Sequence, residues 1–403
     1  MRISTQTFYD QGQSAMSSQQ LNLFRIQQKV ATGRNILTPS DDPVGAARAL
    51  NVSQSLSEGS QYAASRKQAT TMLSREDDAL ESVAVVLQNV KSLVVQAGNG
   101  TMSDADRASL ATTIQGQLDQ LVALANTDDG NGQYLFAGFK SGSVPFAAQA
   151  GGGYQYMGDQ GQRLMQVDVA RQMPATDDGR SIFLSVQGGA GYVTTAASGN
   201  TGSGVFGAVS VSNATDPNYG KDFSVSFAGG NYTVQTKDTP PVVVSTGAYE
   251  AGTPISFGGM QVSISGTPAD GDSFDVSTAR NAGTDVFAAM SELVNALKKP
   301  LEGGGDKAHA ELLNALSTAN VKITNAHDNV LTVRSSVGSR MAELEQLDSD
   351  GESRALIDKS YLSEIEDLDY YDALSEFTQR QTALQAAQQT FVSLSGLALF
   401  KYL

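Results

Sequence analysis

The residues able to do chemistry are few and poorly spaced for it. His309 and His327 are the only histidines, eighteen residues apart on one predicted helix. About five turns therefore separate them, too far to share a metal, and His309-Ala310-Glu311 lacks the second histidine of a zinc-protease helix. Gly202-Ser203-Gly204-Val205-Phe206-Gly207 matches G-x-G-x-x-G. A β-like Ala208-Val209-Ser210-Val211 follows it, however, where a dinucleotide site needs a helix N-terminus, so a flexible loop is expected. Asp129 and Asn131 sit among glycines as in a calcium loop, yet Lys140 stands where the bidentate glutamate should be.

Carboxylates gather at Glu364, Glu366, Asp367, Asp369 and Asp372. Helical spacing spreads them around a helix rather than into a pocket, which reads as a solvated shoulder or an ion-pairing surface between subunits, not an acid/base pair. Three glycosylation sequons, at Asn51, Asn213 and Asn231, carry no meaning without a eukaryotic secretory route. No catalytic residue, cofactor site or metal site is expected.

With the chemistry so thin, the elements themselves carry the information. From Leu356 to Leu403 there is no Gly or Pro before Gly396. Ala373, Phe377, Arg380, Leu384, Ala387, Phe391, Leu394 and Ala398 alternate in steps of four and three, the seam of a heptad repeat. Around it lie Gln, Thr and Ser in place of the Glu and Lys of a solvated helix, so this helix is built to be covered. At the other end Met16, Leu23, Val30 and Leu37 fall seven apart, with Ile26 beside them. Pairing the two ends costs only a loop-closure term that grows by roughly 0.6 kcal/mol per doubling of length.

Thr32-Gly33-Arg34-Asn35 reads as a stop, and Pro39-Ser40-Asp41-Asp42-Pro43 as a turn in which Ser40, Asp41 or Asp42 caps a long helix from Pro43 to Ala97. Leu73, Leu80, Leu87 and Val94, with Val83 and Val90, give that helix a bundle seam. Ser103 opens the next helix, with its stripe at Leu110, Ile114, Leu118 and Leu121. From Asp128 to about Gly283 the chain turns rich in Gly, Ser, Thr and Val, and short alternations replace the helical period. Met165, Val167 and Val169 read as one strand face, while Gly229-Gly230 and Gly258-Gly259 read as hairpin turns. Helix returns at Asp285, stops near Pro300, and is expected again from Asp306 to Leu347.

The fold class is α+β: a long-helix bundle and a terminal coiled coil formed by the N- and C-terminal segments, with an inserted β-rich domain. The expected partition is 1–37 with 365–403, 38–140 with 283–364, and an insertion at 141–282 that could divide in two near 188–207.

A net charge of −15, with no Lys/Arg cluster, argues against nucleic acid as a partner. Zero cysteines exclude disulfides and thiolate chemistry. No run of about twenty apolar residues predicts a membrane span, and residues 1–20 lack the apolar core of a secretory signal.

The ends resemble the flagellin superfamily of bacterial flagellar proteins. The resemblance lies in Met1-Arg2-Ile3-Ser4-Thr5-Gln6, in Ala31-Thr32-Gly33-Arg34 followed by Pro39-Ser40-Asp41-Asp42-Pro43, and in Gln381 to Phe391 with Leu399-Phe400-Lys401-Tyr402-Leu403. The hook–filament junction branch is the nearer likeness, since filament flagellins typically carry a Ser-Gly-Leu-Arg-like turn and a Lys-Asp-Asp-like helix start in these two stretches. The likeness covers about 1–140 and 284–403, with only a loose echo at Tyr156-Met157-Gly158-Asp159 between them.

Membership implies a structural adaptor, not an enzyme: transiently cytoplasmic with an export chaperone on its C-terminal region, then secreted by the flagellar type III route. It also implies assembly with itself in a helical ring, between a distal hook-associated protein on the hook side and a filament-side cap or flagellin. The residues expected to form the assembly seam are Met16, Leu23, Ile26, Val30, Phe377, Leu384, Phe391 and Leu394. Two alternatives stand beside this reading: a filament flagellin subunit, or a secreted binding or hydrolytic module in which Tyr154, Tyr156, Tyr192, Tyr219 and Tyr232 of the β region supply stacking surfaces.

Overall fold

A computed structural model describes the backbone of residues 5–149 and 153–399, and the side chains of 7, 9–149 and 153–393. The chain opens with helices α1 (Thr5–Thr32), α2 (Pro43–Ala97) and α3 (Asp104–Ala125). Strands β1 (Phe146–Ala148), β2 (Tyr154–Tyr156), β3 (Leu164–Asp168) and β4 (Arg171–Pro174) precede a short helix α4 (Gly179–Phe183). Nine strands follow: β5 (Tyr192–Ala196), β6 (Val205–Phe206), β7 (Ser210–Val211), β8 (Phe223–Ala228), β9 (Asn231–Thr236), β10 (Val243–Ala248), β11 (Pro254–Phe257), β12 (Met260–Ser265) and β13 (Ser273–Thr278). Helices α5 (Val286–Lys298), α6 (Gly305–Glu366) and α7 (Tyr370–Leu399) close it. The order helices, strands, helices is the one the sequence predicts.

Two compact units are formed, one from residues 1–64 and 346–403 and the other from 65–345. In the first, α1 pairs antiparallel with α7, and the start of α2 lies beside the end of α6, where Ser55 Oγ donates to Asp358 Oδ2 at 3.0 Å. Asp42 is the cap of α2: its Oδ1 accepts from Val44 N and Gly45 N at 3.1 and 2.9 Å, with Pro43 at the first helical position. Asp41 instead holds the preceding turn by accepting from Thr38 N at 2.9 Å.

Three expectations for the ends need correction. The run from Leu356 is not one helix, because α6 stops at Glu366 and α7 begins at Tyr370. Asp369 Oδ1 caps the new helix by accepting from Tyr371 N and Asp372 N at 2.9 and 3.3 Å. The freed backbone pairs with the break after α1: Leu368 N donates to Gly33 O at 2.9 Å, and Asn35 N to Glu366 O at 2.7 Å. Leu37 is not on the α1 seam, since Gly33, at φ 71°, has already ended that helix. The helix expected to end at Leu347 runs on to Glu366 as one element of 62 residues.

In the second unit α3 packs against α5, and both share a core with α2 and α6. Ser103 and Asp106 form the reciprocal cap of α3, and Asp285 Oδ1 caps α5 from Phe287 N at 2.8 Å. Phe136, Phe146, Phe183 and Phe287 fill the end of this core with ring centroids 4.8 to 5.7 Å apart. Strands β3 and β4 form a separate hairpin whose turn carries Val169, 69% exposed, so Val169 does not continue the face of Val167 as expected.

A second core belongs to the later strands. One antiparallel sheet runs β10-β9-β8-β13-β5, and another runs β11-β12-β6 with β7 also on β12. Phe223, Val225 and Phe227 alternate with half-exposed serines, and face Phe257, Met260, Val262 and Ile264. Gly229-Gly230, at φ 58° and 73°, and Gly258-Gly259, at 50° and 75°, close their hairpins in the doubly left-handed turn that glycine pairs favour.

Candidate assembly surface

The helical pair of the first unit brings the predicted seam together. On α1, Ile26 is buried and Met16, Leu23 and Val30 are half-buried. On α7, Ala373 is buried, and Phe377, Arg380, Leu384, Ala387 and Phe391 are half-buried, while every other described side chain from Tyr371 to Ser393 is exposed. The steps between them are four, three, four, three and four, so the face turned to the partner helix follows the heptad. The Leu394 side chain lies outside the described residues.

The seam is completed by residues that its hydrophobic pattern does not mark. Tyr9 packs on Phe391 with ring centroids 4.7 Å apart. Gly12 lies beneath the same ring, where an added Cβ would come within 3.0 Å of it. At the other end of the pair, Tyr370 closes over Gly33. A glycine four residues before Met16 is the one signal that could have pointed to Gly12.

The other candidate sites come apart on inspection. His309 Nδ1 lies 3.2 Å from Gly305 O on its own helix, and His327 Nδ1 3.5 Å from Asp328. Among the described residues no group of three or more potential metal ligands assembles. The glycine loop is pinned, not flexible as expected: Asp272, 2% exposed, accepts from Gly202 N at 3.0 Å and from the flanking Thr201 N and Ala269 N at 2.7 and 2.8 Å, while Ser203 N and Gly207 N donate to Thr267 O and Ser263 O at 3.0 and 2.7 Å. Asp129 accepts from Asn131 N and Gln133 N at 2.8 and 3.1 Å, and these donors lower its pKa.

Within the acidic shoulder, Glu366 meets Arg34 at 3.5 Å, Asp367 accepts from Ser363 and Asp369 caps α7, so the five carboxylates do not converge. The five tyrosines divide as well. Tyr154 and Tyr156 pack on the helical core, whereas Tyr192, Tyr219 and Tyr232 belong with the later strands.

Residues 3–141 match the bacterial flagellin N-terminal helical region, and residues 321–403 the bacterial flagellin C-terminal helical region. Flagellar hook-associated protein 3 of Salmonella typhimurium is 33% identical over 404 aligned positions, spanning 100% of this chain and 99% of that one. The chain belongs to the hook-associated protein 3 family. The Escherichia coli K12 member is 32% identical, again over 100% of this chain and 99% of its own. The crystal structure of the flagellar junction protein from Legionella pneumophila superposes with a TM-score of 0.68 at 27% identity, covering 79% of this chain and 99% of that one. Residues 195–278 match the D2-like domain of flagellar hook-associated protein 1. Membership places the chain among structural flagellar proteins, and no described helix is long and apolar enough to cross a membrane.

Proposed function

We propose that the chain is a non-enzymatic adaptor that polymerises at the hook–filament junction of the bacterial flagellum and joins hook to filament after type III export. The observation that carries this reading is the end-to-end match to hook-associated protein 3, which runs through the central strands as well as the terminal helices. Its neighbours are a distal hook-associated protein on one side and a cap protein or flagellin on the other, and an export chaperone holds its C-terminal region before secretion. In this reading 1–37 with 365–403 is the assembly region, 38–140 with 283–364 the supporting bundle, and 141–282 an outer insertion.

Met16, Leu23, Ile26, Val30, Phe377, Leu384, Phe391 and Leu394 then act by fixing α1 on α7, so that a folded pair is presented to neighbours. Gold-labelled antibody raised against residues 195–278 should decorate isolated flagella in a single band between hook and filament. Label along the whole filament would instead make the chain a filament subunit.

A further inference from the structure

The seam between α1 and α7 holds two polar side chains where a heptad repeat calls for apolar ones. The covered face of α1 includes Gly12, Met16, Gln19, Leu23, Ile26 and Val30, in steps of four and three, so Gln19 interrupts the apolar run. On α7 the interruption is Arg380, half-buried between Phe377 and Leu384. Gln19 Oε1 is buried, and among the described residues no hydrogen-bond donor reaches it. Arg380 is the one basic residue of α7, and its Nε and Nη2 meet Glu376 Oε1 on the same helix at 3.3 and 3.0 Å.

The two interruptions fall at one level. Tyr9 meets Phe391 at one end of the antiparallel pair, and Gly33 meets Leu368 and Tyr370 at the other. Counting inward from either end sets Gln19 opposite the turn from Arg380 to Leu384. An all-apolar heptad seam tolerates a slip of seven residues, because each apolar side chain then meets another. Here such a slip carries Arg380 to the level of Ile26 and Val30 in one direction, and of Gly12 and Met16 in the other. It also sets Gln19 against Phe377, or against Ala387 and Phe391. Either slip desolvates a guanidinium without an acceptor, which is strongly unfavourable. The native register brings the unclaimed oxygen to the cation, and it lays the Phe391 ring over Gly12, which has no Cβ to meet it.

We infer that Gln19 and Arg380 form a polar layer that specifies the register in which α1 closes on α7, with Arg380 reaching across the seam to Gln19 Oε1 as well as along its helix to Glu376. Such a layer makes the pair less stable than an apolar one and more selective. Its use rests on the adaptor reading, in which each copy must close in one register before it presents a folded pair to neighbours.

The chain has no cysteine, so engineered pairs report the register in purified full-length protein equilibrated in a glutathione redox buffer. Met16→Cys with Ala387→Cys closes an intrachain disulfide in the native register, and Leu23→Cys with Ala387→Cys closes one after a slip of seven. With Gln19 and Arg380 in place the first disulfide should be favoured roughly tenfold or more, the scale of one buried polar group left unpaired. In a background of Gln19→Leu with Arg380→Leu the preference should fall to about threefold or less, while both ends of the chain without added cysteines grow more resistant to protease. A side chain that only packs would move both readouts the same way. An unchanged register preference in the leucine background, or lower protease resistance at both ends, overturns the polar layer. Should the leucine variant aggregate, Gln19→Ala with Arg380→Ala is scored by the same two disulfides, and an unchanged preference there overturns it equally. None of these measurements needs a flagellum, so the adaptor reading can fail, by absence of the chain from isolated flagella, without altering their outcome.

Discussion

Phe391 stands 4.7 Å from Tyr9, ring to ring, so two residues near opposite ends of the sequence lie in one contact. Full burial of a phenylalanine contributes about 1.5–3 kcal/mol; the Phe391 ring, half-buried beside Gly12, contributes less than that, and a carboxylate in its place adds a desolvation penalty. Phe391→Asp should leave the 65–345 unit folded by circular dichroism and thermal melting, yet abolish assembly, read as filaments lost from the cell. Normal attachment in that variant contradicts the role given to the seam.

Among the described side chains of α1 and α7 only Ile26 and Ala373 fall to about 7% exposure among the apolar residues, whereas ordering helices of 28 and 30 residues costs on the order of 1–2 kcal/mol per residue. The monomer should therefore lose roughly its first 35 and last 40 residues to dilute protease while the rest survives, a balance argued from ordering entropy. Mass spectrometry of the fragments checks this, and the cleavage should vanish in assembled material. Slow amide exchange across Phe377 to Leu397 in the monomer would show an autonomous coiled coil instead.

Glu76 on α2 is fully buried, with Asp177 N donating to both its oxygens at 3.3 Å. Burial first, then the Asp177 carboxylate, pushes its pKa well above the ordinary value near 4.5, while Arg340 of α6, which pairs with Asp177, pulls the other way. The folded state thus holds a proton that the unfolded chain releases. The stabilising contribution is whole below the ordinary glutamate value, declines as pH rises above it, and is gone once pH passes the raised value. Glu76→Gln should flatten this decline and gain relative to the parent at alkaline pH, as seen in urea melts from pH 5 to 9. Parallel profiles for parent and variant would contradict the assignment.

Asn314 of α6, 5% exposed, accepts from Phe206 N at 3.1 Å and donates to Gly204 O at 2.9 Å, tying β6 to the helix. Asn314→Ala leaves a buried amide without its partner, at about 1–3 kcal/mol. Hydrogen exchange at Phe206 should accelerate accordingly, with little change at Leu118 in the helical core.

Much of this was legible because it is local. The steps among Ala373, Phe377, Leu384 and Phe391 reveal a seam without any knowledge of its partner, and Gly229-Gly230 or Ser103 with Asp106 specify a turn and a cap within a few residues. What escaped depends on distant chain. The break at 367–369 has no Gly or Pro, and is held by backbone bonds to Gly33 and Asn35. Glu76 lies in the run Arg75-Glu76-Asp77-Asp78, which looks solvated until Asp177 and Arg340 are brought over it. The glycine loop at 202–207 reads as flexible from its own residues, yet Gly202 N is held by Asp272 from seventy residues away.

The most direct test of the adaptor account is removal of the chain. Cells lacking its gene should keep their hooks by electron microscopy and release filament protein into the medium, with attachment restored by the parent chain. An attached filament of normal length on such cells would contradict the account.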